Sequence, residues 1–469
     1  MHLTLSDAFR LALENSTDGA VYRSKIRMAE WQVVQAAAGG RPHFDFKASY
    51  IRLEPPFSFS GSGLTFDIVD ENNYTYGPVL TQAIATFGRL HYGTLAARLN
   101  LQSARNDYRR VVDQLLLQVG TAYDQALQAD EGVSIARASV GLKEAHVADT
   151  EQRFEAGAVS RYDVIRDGSD LNLARQQLLS AQDSHGKALI QVLTLLGVNP
   201  ARPVVLVGEG QDTPPPDDKA LGLQLALDHR PELQTLNYAW QAAQASARLA
   251  RSKLNPSVNL SMEYDEANAT GFTVGPYFSG TLSLQVPVFD GGEGKADINQ
   301  SIEQAEQLRQ QYEATRRAVL SDVESCWLDL QTAWQRLGLA RQNLKETEQL
   351  AYLADVRYKN GISTNLERLD AENNLEQVRS TAATALYDYR QARVRWVQAT
   401  AQDYPAEVVS PTLLPGREQN SPLPPGWTPR VSDQPKPGPT PPPALSPMPA
   451  PARVSPKPSS REPVPLPGD

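Results

Sequence analysis

From Ile298 onward an apolar or small residue returns at every seventh position: Ile298, Ala305, Tyr312, Val319, Cys326, Ala333, Ala340, Thr347 and Ala354. A second series, offset by four, runs Val323, Leu330, Leu337, Leu344 and Ala351. Two interleaved series of this kind form an a/d seam, which keeps helices side by side along their whole length. The seam predicts a helix over about residues 295–356, on the order of 90 Å of rod at 1.5 Å rise per residue. The proline-free run 288–404 then folds back at Arg357-Tyr-Lys-Asn-Gly361, where glycine supplies the left-handed conformation that ends a helix.

The same run occurs about 204 residues earlier, around Arg153-Phe-Glu-Ala-Gly157. Tyr108 aligns with Tyr312, Val119 with Val323, Ala129 with Ala333, Ala136 with Ala340, Phe154 with Tyr358 and Gly157 with Gly361. Paired seam positions without a gap point to an internal duplication. Ahead of each long helix the pattern predicts a short helix and a longer one, over residues 3–40 and 221–254, with Asp18 and Arg230-Pro-Glu232 at helix starts.

Between those helices and the seam the period changes to two. Phe44, Phe46, Ala48 and Tyr50 alternate with Asp45, Lys47 and Ser49; Val258, Leu260, Met262 and Tyr264 alternate with Ser257, Asn259, Ser261 and Glu263. Return strands are expected over about 73–85 and 272–288, where Phe278, Leu282, Leu284 and Val286 share a face. The connections, 54–72 and 265–271, read as loops, the first longer and rich in Pro, Gly and Ser. Four strands cannot close a barrel, and open apolar edges invite aggregation, so association of three chains into twelve strands is one solution. Two hairpins packed on soluble helices is the other reading that alternation leaves open.

The first repeat is therefore expected over 1–200, with a β-hairpin at about 43–86 and a helical hairpin at about 89–197. A Pro-containing linker, 201–219, with a strand-like piece at 204–207, precedes the second repeat, 220–404, with its β-hairpin at about 257–288 and helical hairpin at about 292–402. From residue 405 to 469 the composition turns to proline, which predicts a disordered or polyproline-II tail, either freely solvated or reaching a partner or cell-wall material. The fold class is mainly α with a small β part.

With a formal net charge of -9 and no basic stripe, the chain is not expected to bind nucleic acid. Its single cysteine, Cys326, excludes an internal disulfide and reads as a small core residue. No apolar window is long enough for a transmembrane helix. His2, His43, His91, His146, His185 and His229 never fall at metal-ligand spacing. Phe289-Asp-Gly-Gly-Glu-Gly-Lys295 lacks the first glycine of a phosphate loop, and Ala296 replaces its Ser or Thr, so it reads as a strand-to-helix turn. No catalytic constellation is visible, and neither enzyme activity nor a metal or cofactor is expected.

These residues resemble the TolC family of outer-membrane efflux channels. The likeness covers about residues 3–402. It is carried by the tip motifs Arg153-Phe-Glu-Ala-Gly-Ala-Val-Ser-Arg-Tyr-Asp-Val164 and Arg357-Tyr-Lys-Asn-Gly-Ile-Ser363, and by the strand-to-helix junction Gln285-Val-Pro-Val-Phe-Asp-Gly-Gly292 with its weaker counterpart Gln82-Ala-Ile-Ala-Thr-Phe-Gly88. It implies a homotrimer: a twelve-stranded barrel in the lipid of a Gram-negative outer membrane, continued into the periplasm by a helical tunnel. The tips, Arg153, Ala156, Gly157, Ala158 and Arg357, Asn360, Gly361, Ile362, would dock on a periplasmic adaptor protein and through it an inner-membrane pump.

The family's acidic constriction falls on Glu367 and Asp370, whose i, i+3 spacing puts both on one helix face. Of its entrance latch, Tyr358 and Asp163 match, but Ser363 stands where the family has arginine, so the latch is incomplete. The chain opens at Met1-His-Leu-Thr-Leu5 without a secretory signal or an N-terminal cysteine for a lipid anchor, so a start further upstream or a processed chain is expected. Alternatives are a channel for protein secretion within the family and, from another class, a soluble periplasmic coiled-coil scaffold.

Overall fold

The computed structural model describes residues 2–55, 57–61, 64–69, 71–208, 212–216, 218–267 and 276–402. The expected proline-rich tail and much of the connection after residue 265 lie outside the described residues. The first repeat runs β1 (His2–Leu3), α1 (Leu5–Asn15), α2 (Thr17–Ala38), β2 (His43–Arg52), β3 (Phe57–Gly61), β4 (Leu64–Val69), β5 (Asn72–Ala85), α3 (Arg89–Glu155) and α4 (Arg161–Leu195). After β6 (Val205–Leu206), the second runs α5 (Lys219–His229), α6 (Pro231–Ser252), β7 (Ser257–Ala267), β8 (Tyr277–Gln285), α7 (Glu293–Lys359) and α8 (Asn365–Ala399).

Equivalent helices have equal lengths: 11 residues in α1 and α5, 22 in α2 and α6, 67 in α3 and α7, and 35 in α4 and α8. At 1.5 Å per residue, α3 and α7 are each about 100 Å long. Their starts are set by local chemistry. The Ser16 hydroxyl accepts from the Gly19 N–H at 2.9 Å to open α2, and Pro231 occupies the first turn of α6, where no N–H is needed. At the mouth of α7 the Asp290 carboxylate accepts from the N–H groups of Gly292 (3.0 Å) and Gly294 (2.8 Å), which confirms a strand-to-helix turn there rather than a phosphate loop.

The seam packs as its spacing requires. Val319, Val323, Leu330, Leu337, Thr347 and Ala351 are buried, and none of the remaining positions in either series is exposed. Each repeat builds its own core around the middle of its long helix. In the first, Ala8, Phe9 and Leu13 of α1 pack on Val112, Leu116, Val119 and Tyr123 of α3. In the second, Ala226 and Leu233 join Val323, Leu330 and Trp396, with Trp327 tilted against Trp396 at 5.1 Å and Trp334 against Tyr389 at 5.0 Å. Cys326 is half-buried on this seam, and burial beside Asp322 pushes its thiol up to about 11, so it stays a neutral packing group.

The linker ties these cores together. β6 pairs in parallel with β1 through His2↔Val205 and Leu3↔Leu206, and the Tyr123 hydroxyl donates to the Leu3 carbonyl at 2.8 Å while accepting from the Val207 N–H at 3.2 Å. Asp212 is gripped by Arg341 of α7 (2.7 Å) and Arg390 of α8 (3.0 Å).

Four strands form an antiparallel sheet in the order β2-β5-β7-β8, so the two repeats meet through β5 and β7. β2 and β8 are its open edges. Their apolar side chains are uncovered: Phe44 is 74 % exposed and Leu282 68 %. The stretch 54–72 corrects the expectation of a loop, since it contains a further antiparallel hairpin, β3 with β4, in which Phe59 is in register with Phe66. Phe57-Ser-Phe-Ser and Leu64-Thr-Phe-Asp-Ile alternate with period two, a strand signal that the surrounding glycines and serines hid.

Leu330 is fully buried on the seam. Leu330→Ala is expected to cost about 3 kcal/mol through lost burial and a residual cavity, read as a lowered thermal unfolding midpoint. Gln335→Ala, at an exposed position of the same helix, leaves the midpoint unchanged.

Candidate functional site

The two hairpin tips are built by one device. At the first, Gly157 takes φ +72°, its N–H bonds to the Phe154 carbonyl (2.9 Å), and the Ala158 N–H bonds to that of Arg153 (2.8 Å). At the second, Gly361 takes φ +71°, with the Gly361 N–H on Tyr358 (3.0 Å) and the Ile362 N–H on Arg357 (2.9 Å). Both are Schellman closures, which satisfy carbonyls that a helix end leaves orphaned. Ala156, Gly157, Ala158, Asn360, Gly361 and Ile362 are all exposed, Arg357 is exposed and Arg153 is half-buried.

The return helices start differently. Ser160 caps α4 in a reciprocal box: its hydroxyl accepts from the Asp163 N–H at 3.4 Å, and the Asp163 carboxylate accepts the Ser160 N–H at 3.1 Å and the Ser160 hydroxyl at 2.7 Å. Those bonds from Ser160 hold the Asp163 carboxyl below the usual carboxylate range. Thr364 caps α8 by accepting from the Glu367 N–H at 3.3 Å. Glu367 and Asp370 are exposed while Arg368 and Leu369 between them are buried, so the two acids lie on the uncovered face of α8.

Tyr358 is not joined to Asp163 by a hydrogen bond among the described residues. Its hydroxyl accepts from Arg153 at 3.3 Å, and its ring is approached by the Arg153 guanidinium (5.0 Å to the centroid) and by that of Arg368 (4.6 Å). Ser363, in the arginine's place, is half-buried with its hydroxyl unpartnered among the described residues.

Sequence reasoning missed a buried polar group just above the tips, where α3 of one hairpin packs on α8 of the other. The Ser139 hydroxyl donates to Glu376 (2.9 Å), Lys143 donates to Asn373 (3.1 Å), His146 Nε2 meets Glu372 (2.9 Å), and Arg368 bonds to His146 Nδ1 and to Asn365 (2.7 Å). Lys143, His146 and Arg368 are each buried. The available signal was a break in the repeat. Lys143 and His146 align with Thr347 and Leu350, and Arg368 and Glu372 with Val164 and Gly168, so charge appears in one copy only.

A Cβ added at Gly361 would meet nothing within 4 Å, so Gly361→Ala carries the left-handed backbone penalty alone, about 1–2 kcal/mol. Ser160→Ala removes the cap for about 1 kcal/mol. Each is expected to speed amide hydrogen exchange in its own tip and leave the other unchanged. Because the Asp163 carboxyl is depressed, its cap persists above the ordinary carboxylate range and is lost as pH falls through the lowered value.

Comparison with known proteins places this geometry. The family model for outer membrane efflux proteins matches residues 8–198 and 222–402, one match per repeat. The pyoverdine export outer membrane protein OpmQ of Pseudomonas aeruginosa is 26 % identical over 412 residues, covering 86 % of this chain and 84 % of OpmQ. The alkaline protease secretion protein AprF of the same organism is 24 % identical over 339 residues, 70 % of each chain. Among solved structures, the transmembrane channel CusC superposes with a TM-score of 0.73 at 19 % identity, over 84 % of this chain and 91 % of that one. With both repeats matched across most of their length, the chain belongs to the outer membrane efflux protein family.

Proposed function

We propose that three copies of this chain close into one duct, a twelve-stranded barrel in the outer membrane of a Gram-negative bacterium continued by a periplasmic tunnel of helices. The observation that carries this reading is that a single copy is unfinished at equivalent places. α6 lies in the groove between α3 and α7, whereas its counterpart α2 has extended contact with α3 alone. The face α2 leaves open carries Val21, Met28 and Trp31, the last 69 % exposed. The groove that would complete it belongs to α7 of a neighbouring copy. The open edges β2 and β8 ask for the same partner, and sheet closure removes the hazard of exposed apolar strands. A soluble scaffold would leave all of this apolar surface in water.

In this duct the exposed tips face a periplasmic adaptor, and conduction is passive, with the driving force supplied by an inner-membrane pump. Glu367 and Asp370 of three chains gather six carboxylates at the entrance, where they favour cations. Tyr358 and Asp163 border that entrance, and Ser363 leaves the family's latch without its arginine. OpmQ is named for export of a small molecule and AprF for secretion of a protease, so both efflux and protein secretion fall within the reach of such a duct.

The chain is expected to leave membranes only with detergent and to run on unheated gels as a trimer that collapses on boiling. Trp31→Glu is expected to move it to the monomer position; a chain that is monomeric and soluble without detergent overturns the duct. In planar bilayers, Glu367→Ala with Asp370→Ala is expected to raise single-channel conductance or lower cation preference. Unchanged selectivity would remove the constriction while leaving the fold intact.

A further inference from the structure

The joint at which a strand hands over to a long helix is built twice. Between β5 and α3, Phe87 (φ +43°) and Gly88 (φ +102°) make a left-handed turn; between β8 and α7, Gly291 (φ +68°) and Gly292 (φ +94°) make the same turn at the aligned positions. The first turn rests on the end of α6. Arg89, which opens α3, donates to the carbonyls of Lys253 (2.7 Å), Ser252 (3.4 Å) and Asn255 (3.4 Å), and the Asn255 side-chain amide donates to the Phe87 carbonyl at 3.0 Å. A cation on the last carbonyls of a helix also meets the negative end of its dipole. Within the chain, then, the two repeats are joined here by side chains binding neutral backbone.

The second turn carries different residues. α2 and α6 align as Thr17–Ala38 with Pro231–Ser252, so Arg41 stands where the second copy has Asn255. α3 and α7 align as Arg89–Glu155 with Glu293–Lys359, so Glu293 stands where the first copy has Arg89. Arg41 and Glu293 are both exposed, and neither side chain has a hydrogen bond or ion pair among the described residues. The acids on either side of Glu293 are engaged: Asp290 accepts from Gly292 and Gly294 in its own turn, and Asp297 pairs with Lys253 at 2.9 Å.

If three chains meet as proposed above, on which this inference rests, the sheet brings these two residues together. Within the chain, β5 pairs with β7 so that Leu80 is opposite Met262 and Thr81 opposite Ser261. The alignment that turns His43↔Thr81 of the first hairpin into Ser257↔Gln285 of the second carries this register across copies. It sets Leu284 of β8 opposite Ala48 of the next copy's β2, and Gln285 opposite Lys47. α7 then begins against the end of the neighbouring α2, as α3 begins against the end of α6. Glu293 cannot donate to carbonyls there, and an acid alone at a helix C-terminus is unfavourable. Arg41 answers both, because one guanidinium can serve a carboxylate and a carbonyl together.

We propose that Arg41 of one copy and Glu293 of the next form an ion pair at each of the three joints between copies, at the neck where strands give way to helices. The Gly291 carbonyl, aligned with that of Phe87, takes a further N–H of Arg41. Covalent continuity holds α3 near α6, whereas separate copies must find one another, and opposite charges attract beyond contact distance, over about 8–10 Å at physiological salt. Charge therefore sits on the joint that needs it. The pair also gives the joint a direction: the cation follows the β2 side and the anion the β8 side, so like edges repel and unlike edges meet.

The test uses the full chain in detergent, where wild type is expected to run as a trimer before heating. Arg41→Glu and Glu293→Arg are each expected to lower the temperature at which trimer gives way to monomer, and the two combined to restore it. Both positions are exposed, so the helical circular dichroism of each variant is expected to match wild type. Trimers equally heat-resistant in wild type and both single reversals overturn the ion pair. A second readout is cross-linking, with the single native cysteine replaced by Cys326→Ser. Arg41→Cys with Glu293→Cys, treated with a short bis-maleimide, is expected to yield a covalent trimer that survives boiling, and Ala48→Cys with Leu284→Cys to do so on oxidation. Cross-linking at the strand pair without any at the joint overturns the joint and leaves the duct intact. A wild-type chain that stays monomeric overturns the duct, and the joint with it.

Discussion

A side chain every seven residues that is small or apolar keeps α3 and α7 parallel to their partners for about 100 Å, and the other properties of the chain follow from that seam. The seam is not uniform. Through the middle it carries Val319, Val323, Leu330 and Leu337, all buried, and beyond them it thins to Thr347 and Ala351. Burial stabilises roughly in proportion to apolar area, about 25 cal/mol per Å². The grip is therefore strongest where α1, α5 and the linker also pack, and weakest toward the tips. A rod held at its middle and loosely at one end can move at that end without unfolding.

Duplication supplies the pieces of a tunnel, and departures from it supply whatever distinguishes one piece from the next. Helices of 11, 22, 67 and 35 residues recur in both copies, so the frame is the same twice. Among the described residues the extra hairpin β3 with β4 occurs in the first copy, and the buried charges between α3 and α8 have no aligned equivalents.

The parts legible in the sequence are those whose signal is local. Heptad spacing announced the long helices, alternation announced the edges of the sheet, and glycine at Gly157 and Gly361 announced the reversals, because each depends on residues a few positions apart. β3 and β4 escaped because their alternating residues are set among glycines and serines. The polar group between α3 and α8 escaped for a different reason: His146 and Glu372 are 226 positions apart. No periodicity links them, and singly each reads as a solvated helix charge. Tyr358 reads as part of a latch with Asp163, yet in the chain its ring meets Arg153 and Arg368, neither of which pattern alone would have joined to it.

The tips show how a small difference in capping decides where charge remains. Ser160 and Thr364 are aligned caps, and three residues on they meet Asp163 and Glu367. The shorter Asp163 folds back into the capping box and spends its carboxylate on Ser160. Its neighbour Arg166 then supplies a positive charge at the position aligned with Asp370. On the second tip Thr364 caps through its hydroxyl, Glu367 stays exposed, and Asp370 adds a second acid on the same face. The first return helix thus carries an acid and a base where the second presents two acids on its uncovered face, beside the cations Arg357 and Lys359 that end α7. In the proposed trimer the exposed pair Glu367 and Asp370 therefore recurs on three of the six hairpins, and the aligned pair on the other three is Asp163 with Arg166.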